Sequence, residues 1–231
     1  MDYNNDDIIW SDDGAPRSAF FDDIYFSAGD CLAETEHVFL KGNDLHKRWK
    51  QCSTFTIAET GFGSGLNFLG AYNLWKDIAP GDASLRYISA ERFPLSKKNL
   101  AKVYSSIPEI ANAGPLLELY PDTPETGVCD IAFENNVTLT LFFGDVLESF
   151  DIIEAGSVDA WFLDGFSPAK NPEMWSDAVL NKVGTTTKAG GTFATFTCAR
   201  CIREGLSLAG FDVEKAGGFG SKRHMLRGEK Q

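Results

Sequence analysis

The sequence has few basic residues, few cysteines and no long apolar run. Its 231 residues contain 21 Lys and Arg against 33 Asp and Glu, a net charge of −12. This balance argues at first sight against a nucleic-acid partner. No apolar segment reaches the ~18 residues that a membrane helix needs. The acidic start MDYNNDDIIW lacks the basic and apolar regions of a secretory signal. The sequence therefore predicts a cytoplasmic protein.

The five cysteines are scattered and odd in number, which is more typical of reduced intracellular thiols than of a disulfide framework. Cys198 and Cys201 form a C-x-x-C pair. No second Cys or His pair follows at zinc-finger spacing, and tetrahedral zinc sites need four ligands. We therefore predict no metal site.

The charge is unevenly distributed along the chain. Residues 1–37 hold ten acids and one Arg, whereas residues 198–231 hold seven Lys or Arg and four acids. The C-terminal segment is thus locally basic despite the acidic whole. The pattern fits either a surface for an anionic partner or ordinary charge scatter on a solvated surface.

After residue 50, short runs rich in β-branched and aromatic residues alternate with segments of helical periodicity. The predicted strands are 55–59, 85–91, 158–164 and 191–197, and the predicted helical segments are 65–77, 96–106, 172–183 and 199–210. Continuous apolar strands between helices indicate a mostly parallel sheet covered on both faces, in doubly wound α/β order. We predict this domain at 51–231. Residues 1–50, which precede this domain, are predicted to form an N-terminal extension that packs on the core. Within this extension, Tyr25 and Phe26 either cover a bound cofactor as a lid or pack in the core.

Two further pairs of strands are predicted outside the parallel order. Residues 129–136 and 137–145 read as an inserted antiparallel hairpin around Asn135-Asn136. Residues 212–218 and 223–228 fit two closing strands, with irregular coil as the open alternative.

A glycine loop, E-x-G-x-G-x-G, joins the first predicted strand to the first helix, with glycines at Gly61, Gly63 and Gly65. Glycines allow a tight turn and close approach of a ligand to the backbone. A dinucleotide fingerprint would need Gly at position 66, which is Leu66, and the P-loop ending is absent. Glu59, at the strand end, suits an ammonium group and would repel a diphosphate. This favours a methionine-type cofactor.

Two more carboxylates follow at strand ends. Glu91 is placed to accept the ribose hydroxyls of a nucleotide, and Asp145 to reach an adenine amino group. Three such acids after this glycine loop predict a class I (Rossmann-like) methyltransferase that depends on S-adenosyl-L-methionine.

A second motif, DGFSPAKNPEMW, begins at Asp164, after the fourth predicted strand. Methyl transfer to nitrogen needs an oriented lone pair and loss of a proton, and Asp164 can serve both needs. Phe166 and Trp175 suit stacking on a base. For Trp175, core packing is an equal alternative.

With these motifs, the chain resembles the methyltransferase domain of the MnmC family of tRNA-modifying proteins. The matching stretches run over nearly the whole chain in order, and the most specific are ETGFGSGLNFL (59–69) and DGFSPAKNP (164–172). The resemblance implies methylation of the primary amine of 5-aminomethyl-2-thiouridine at the tRNA wobble position, which leaves S-adenosylhomocysteine.

The resemblance also assigns residues by position. It implies a cofactor site of Glu59, Gly61, Gly63, Gly65, Asn67, Glu91 and Asp145. It places Asp164 opposite the amine, with Phe166, Pro168 and Lys170 around it, and brings Lys222 and Arg223 to tRNA phosphates.

Many members of the family carry a C-terminal FAD-dependent oxidase domain. This sequence shows no second glycine fingerprint, so we expect no FAD here. The oxidase would be either a domain fused to this one or a separate protein. The rival predictions are a small-molecule or polyamine-directed transferase of the same fold and a non-catalytic module that binds S-adenosyl-L-methionine.

Overall fold

The computed structural model describes residues 8–10, 16–26, 30–107 and 109–231. The predicted N-terminal extension is described in part, since residues 1–7, 11–15 and 27–29 lie outside the described residues. Its described part begins with three short antiparallel strands: β1 (Ile8–Trp10), β2 (Pro16–Ser18) and β3 (Asp23–Ile24). It continues through α1 (Cys31–Thr35), a π-helical turn (Glu36–Leu40), α2 (Leu45–Arg48) and a 3-10 turn (Trp49–Gln51).

An eight-stranded sheet forms the centre of the described part of the chain. Its strands are β4 (Thr54–Glu59), β5 (Ser84–Glu91), β6 (Gly127–Phe133), β7 (Val137–Phe143), β8 (Val158–Phe162), β9 (Thr187–Thr195), β10 (Phe211–Gly217) and β11 (His224–Lys230). Their spatial order is β10-β11-β9-β8-β4-β5-β7-β6. The run from β9 to β7 is parallel, whereas β6 and β11 are antiparallel to their neighbours. The predicted mostly parallel, doubly wound sheet is confirmed.

Helices cover both faces of this sheet. They are α3 (Leu66–Ile78), α4 (Lys97–Ser105), α5 (Ala113–Leu119), α6 (Val146–Ser149), α7 (Asp177–Thr186) and α8 (Arg200–Leu208). The prediction of one helical segment over 172–183 is wrong at Ser176, whose extended backbone (φ −67°, ψ 156°) separates a 3-10 turn, Pro172–Trp175, from α7. No helix in the described ranges has the length and apolar character needed to cross a membrane.

Both predicted hairpins are present. Phe133 pairs with Val137, so the loop of the first has three residues, and it contains Asn135 (φ 60°) and Asn136 (φ 54°). Asn tolerates this left-handed conformation better than most residues. The second pairs β10 with β11 from Phe211 to Gly217. Strands, and not irregular coil, close the chain.

Residues 31–49 pack against the sheet. Val38, Phe39, Leu40, Leu45 and Trp49 are each no more than 3% exposed and belong to the same apolar core as the inner faces of α3, β4 and β5. The Phe39 ring lies 5.1 Å from that of Phe162 on β8. This part of the extension is therefore fixed beside the carboxyl ends of the central strands.

Candidate active site

Acidic side chains follow four neighbouring parallel strands where these strands end. Glu59 and Glu91 are the last residues of β4 and β5. Asp145 and Asp164 come two residues after β7 and β8. Because parallel strands end at one edge of a sheet, the predicted carboxylates gather there, at the place where α/β folds bind ligands.

A cavity of about 930 Å³ opens at this edge. Most of the predicted site residues line it: Gly61, Gly63, Asn67, Glu91, Asp145, Asp164, Phe166, Lys170 and Lys222. Five predicted residues do not line it: Glu59, Gly65, Pro168, Trp175 and Arg223. The fold therefore brings the glycine loop and the motif that begins at Asp164 together around one cavity.

The glycine loop has the backbone that its sequence demands. Gly63 (φ 53°) and Gly65 (φ 73°) both adopt left-handed conformations that side chains disfavour. A Cβ at Gly65 would come 2.8 Å from the Phe62 ring. Helix α3 starts at Leu66, one residue after the predicted start, so the loop runs straight into its N-terminus.

Glu91 and Asp145 stand beside this loop. Glu91 Oε2 accepts the Gly63 N–H at 2.8 Å and Oε1 accepts the Phe93 N–H at 2.7 Å. Burial raises the pKa of Glu91, and these backbone donors oppose the rise. Asp145 caps α6 through the Leu147 N–H at 2.9 Å and pairs with Arg92 at 3.3 Å.

Asn67 joins Glu59 to Asp164. Its Nδ2 donates to Glu59 Oε1 at 2.8 Å and to Asp164 Oδ2 at 2.6 Å. The Ser89 hydroxyl is hydrogen-bonded to Glu59 Oε2 at 2.8 Å. Glu59 itself is only 3% exposed, so it lies behind Asn67 and acts on the cavity through that amide.

The two carboxyl groups of this cluster have different pKa values. Burial, reinforced by the charge of Asp164, raises the pKa of Glu59 to about 8, so its carboxyl is mostly protonated at pH 7. Burial raises the pKa of Asp164 to about 6, against the stabilising N–H of Gly165 and amide of Asn67. Asp164 is therefore ionised near neutral pH. Separated pKa values of this kind mark which group accepts a proton.

Aromatic rings from the N-terminal extension cover the cavity. The Phe21 ring stacks on that of Phe166 with centroids 4.5 Å apart, and Tyr25 meets Phe166 edge-on at 5.3 Å. Phe21 also contacts Phe93, at 5.5 Å. We call Phe20, Phe21 and Tyr25 the aromatic roof. For Tyr25 and Phe26, the sequence left open whether they cover the site or pack in the core. Tyr25 lines the cavity beside the glycine loop, and Phe26 also lines it but is only 9% exposed.

Polar contacts hold the roof to the second motif. Asp23 Oδ2 accepts the Ser167 N–H at 2.9 Å, and Asp22 pairs with Lys170 at 3.1 Å. These contacts were not predicted from the sequence. The only signal for them in the sequence was the acidic and aromatic composition of residues 21–27 (FDDIYFS).

The remaining predicted substrate residues divide into inner and outer groups. Trp175 is 7% exposed and its indole N–H donates to Phe166 O at 2.9 Å, so it packs in the core and supports the motif. Lys222 pairs with Glu34 at 2.8 Å on the cavity wall. Arg223 is exposed. No motif in the sequence pointed to Glu34.

The donor set fits S-adenosyl-L-methionine. A carboxylate can accept about four hydrogen bonds, and each oxygen of Glu91 has one backbone donor, so capacity remains for ribose hydroxyls. Asp145 can accept a hydrogen bond from an amino group, and Asn67 Oδ1, which accepts one hydrogen bond from Thr35, can accept another from the ammonium of the amino-acid end. Among the described residues, no cluster of His, Cys, Asp and Glu has the geometry to hold a metal ion.

Comparison with known proteins agrees with this geometry. The bifunctional protein MnmC of Marinomonas sp., named for tRNA 5-methylaminomethyl-2-thiouridine biosynthesis, is 46% identical over 96% of this chain and 33% of its own length. The MnmC of Legionella pneumophila is 45% identical over 95% of this chain and 36% of its own length. The chain thus spans about a third of these relatives.

A solved structure and a family model complete the comparison. The crystal structure of MNMC2 from Aquifex aeolicus shares the fold, with a TM-score of 0.74 and 22% identity over 96% of this chain and 70% of that one. The model of an S-adenosyl-L-methionine-dependent methyltransferase family matches residues 109–231, which include Asp145 and Asp164. The chain therefore belongs to this S-adenosyl-L-methionine-dependent methyltransferase family.

Proposed function

We propose that this domain transfers a methyl group from S-adenosyl-L-methionine to the primary amine of 5-aminomethyl-2-thiouridine at the wobble position of tRNA. The observation that carries the proposal is an ionised carboxylate, Asp164, held on the wall of the cofactor cavity and flanked by the Phe166 ring. The two relatives named for tRNA 5-methylaminomethyl-2-thiouridine biosynthesis support the choice of substrate.

Asp164 has the features that transfer to an amine requires. When bound, S-adenosyl-L-methionine supplies an electrophilic methyl group on a sulfonium. A substrate ammonium must first lose a proton, which frees the nitrogen lone pair; the nitrogen then forms the new N–C bond as the S–CH3 bond breaks and S-adenosylhomocysteine leaves. Asp164 accepts a hydrogen bond from the ammonium and then that proton, as its pKa of about 6 allows.

The neighbours of Asp164 hold it in one orientation. The Gly165 N–H donates to its Oδ1 at 2.8 Å and Asn67 donates to its Oδ2 at 2.6 Å. Thr60 Oγ1 donates to the Asp164 carbonyl at 2.6 Å. A fixed carboxylate orients the amine lone pair without reorganisation during the reaction.

The aromatic side chains suit a nucleobase. Phe166 already stacks with Phe21 at 4.5 Å, so the entrance presents flat apolar surfaces. Stacking of a base on such rings contributes about 1–3 kcal/mol. A polyamine has no aromatic ring that could stack on these surfaces.

We also propose that an FAD-dependent oxidase, fused or separate, acts before this domain. The relatives are named bifunctional and are about three times as long as this chain. The resemblance to their family implies that an oxidase exposes the primary amine. This chain requires that amine whichever protein supplies it.

The test is methyl transfer from labelled S-adenosyl-L-methionine into tRNA that carries 5-aminomethyl-2-thiouridine. We expect label in the wobble nucleoside on chromatography after digestion. Matched tRNA without the aminomethyl group, and spermidine, serve as controls. Label in spermidine alone would make this a polyamine transferase. Tight cofactor binding without transfer to either would make it a non-catalytic module.

A further inference from the structure

The side chain of Lys222 extends to the cavity from the loop between β10 and β11. Its Nζ lies 2.8 Å from Glu34 Oε1 and 4.4 Å from the centroid of the Phe196 ring. The Glu34 side chain is 18% exposed, and both residues line the cavity. Unlike an ordinary surface pair, this one faces the reaction space.

The surrounding backbone holds the pair in place. The Lys222 N–H donates to Phe219 O at 3.0 Å, closing a turn at the tip of the loop. His37, on the π-helical turn that follows α1, is hydrogen-bonded to Gly217 O at 2.8 Å. The segment that carries Glu34 and the loop that carries Lys222 are therefore joined at two points.

Glu34 also lies next to the cluster around Asp164. The adjacent residue, Thr35, donates through Oγ1 to Asn67 Oδ1 at 2.8 Å. Asn67 in turn donates to Asp164 Oδ2. Helix α1 of the extension is thus part of the frame that orients Asp164.

Four titratable groups act on or face Asp164. Glu59 on β4 is mostly protonated, and Tyr87 on β5 is neutral because burial raises its pKa well above the usual range. The other two groups are Glu34 on α1 and Lys222 on the loop, which pair with each other. The negative charge of Glu34 raises the pKa of Asp164, and the positive charge of Lys222 lowers it.

We propose that Glu34 and Lys222 form a positioning pair in which the Lys222 ammonium offsets the Glu34 carboxylate, so that Asp164 keeps its charge while a cationic amine approaches it. The role at the amine rests on the proposed function. While the pair is intact, its two charges act on the Asp164 carboxyl in opposite directions. Loss of Lys222 leaves an uncompensated carboxylate that favours protonation of Asp164. Loss of Glu34 leaves an uncompensated ammonium that repels the protonated amine of the substrate.

The first test needs no substrate. The pKa of the Asp164 carboxyl is measured by carbon-13 NMR in the protein without cofactor, with assignment from Asp164→Asn. We expect it to rise by about 0.5–1 in Lys222→Met and to fall by a similar amount in Glu34→Gln. The double variant should return within about 0.3 of wild type. Lys222→Arg, which keeps the charge, should leave it unchanged.

The second test is the pH–rate profile with the aminomethyl tRNA. The acidic limb should move in the same directions as the NMR titration, and Glu34→Gln should raise KM more than it lowers kcat. Lys188→Met is the matched control. Lys188 forms a similarly short ion pair with Asp159 (2.7 Å), but this pair lies at the amino ends of β8 and β9, away from the cavity.

The outcomes separate this inference from the proposed function. If neither single variant moves the pKa of Asp164, or both move it the same way, the positioning pair is disproved even when tRNA is methylated. If the NMR shifts occur but wild type does not methylate the tRNA, the pair stands as a control on Asp164 and the substrate is wrong. An equal loss of rate at every pH would show a structural role only.

Discussion

At the scale of single residues, we predict that turnover depends on Asp164. Replacing it by Ala removes the proton acceptor but leaves the glycine loop, Glu91 and Asp145 in place. We expect turnover to fall by about 10²-fold or more, with little change in affinity for S-adenosyl-L-methionine. Calorimetry and single-turnover transfer measure the two effects. Asp212→Ala, an exposed site on β10, is the control; full activity of Asp164→Ala would remove Asp164 from the chemistry.

Glu59 is predicted to make stability depend on pH. Its pKa is raised from 4.5 in the unfolded chain to about 8 in the folded one, so the folded state holds a proton that the unfolded state loses. Stability from this group is complete below pH 4.5 and is lost as the pH rises to 8. The amide in Glu59→Gln does not titrate, so this variant lacks that dependence of stability on pH.

The difference in unfolding free energy, Glu59→Gln minus wild type, should therefore become more positive between pH 5 and pH 8. We expect a change of at least about 1 kcal/mol, which corresponds to one pKa unit. Denaturant titrations of cofactor-free protein at several pH values measure it. A difference that is flat with pH would mean that Glu59 is ionised in the folded protein.

Residues at the ends of buried strands could be predicted because chain order and sheet geometry determine their place. Glu91, Asp145 and Asp164 are of this kind. Glu34 could not be predicted, because its role depends on a salt bridge to Lys222, 188 residues away. Nor does the sequence reveal that Glu59 lies behind Asn67, because this depends on the depth of the strand end.

At the scale of elements, strands with continuous apolar runs were predicted to within a few residues. The short pieces were not: β1 to β3, α1, α2 and α5 are two to seven residues long, too short to show a period. The aromatic roof lies in the turn between β2 and β3 and directly after β3, and Glu34 lies on α1. The part of the site that the sequence leaves hidden is therefore the part built by the extension.

The aromatic roof gives an element-scale prediction. Phe21→Ala removes a stacked partner of Phe166, and aromatic pairs contribute about 0.5–1.5 kcal/mol beyond area. We expect KM for the tRNA to rise by about 2- to 10-fold while affinity for S-adenosyl-L-methionine changes less. Phe21→Leu keeps apolar bulk without a ring and separates stacking from packing. A lower melting temperature with unchanged KM would show that Phe21 only supports the fold.

At the scale of the whole molecule, the proposed function requires a chain with a net charge of −12 to bind tRNA, which is a polyanion. Several cations of the C-terminal segment are already paired: Arg200 with Glu204, Arg227 with Glu214 and Lys222 with Glu34. The side chains of Arg203, Lys215 and Arg223 form no ion pair within the described ranges. The seventh cation, Lys230, donates to Ala209 O, which leaves these three as the available phosphate contacts in this segment.

Three phosphate contacts predict a shallow but measurable salt dependence. Each contributes about 0.7–0.9 to the slope of log K against log salt, so tRNA binding should weaken with a slope of roughly −2 to −3. Fluorescence anisotropy across a potassium chloride series measures it. Replacing Arg203, Lys215 and Arg223 with Gln should bring the slope near zero, whereas Lys188→Met should leave it unchanged. A slope steeper than about −5 would require more phosphate contacts than this segment offers, and would place the main tRNA grip elsewhere on the protein.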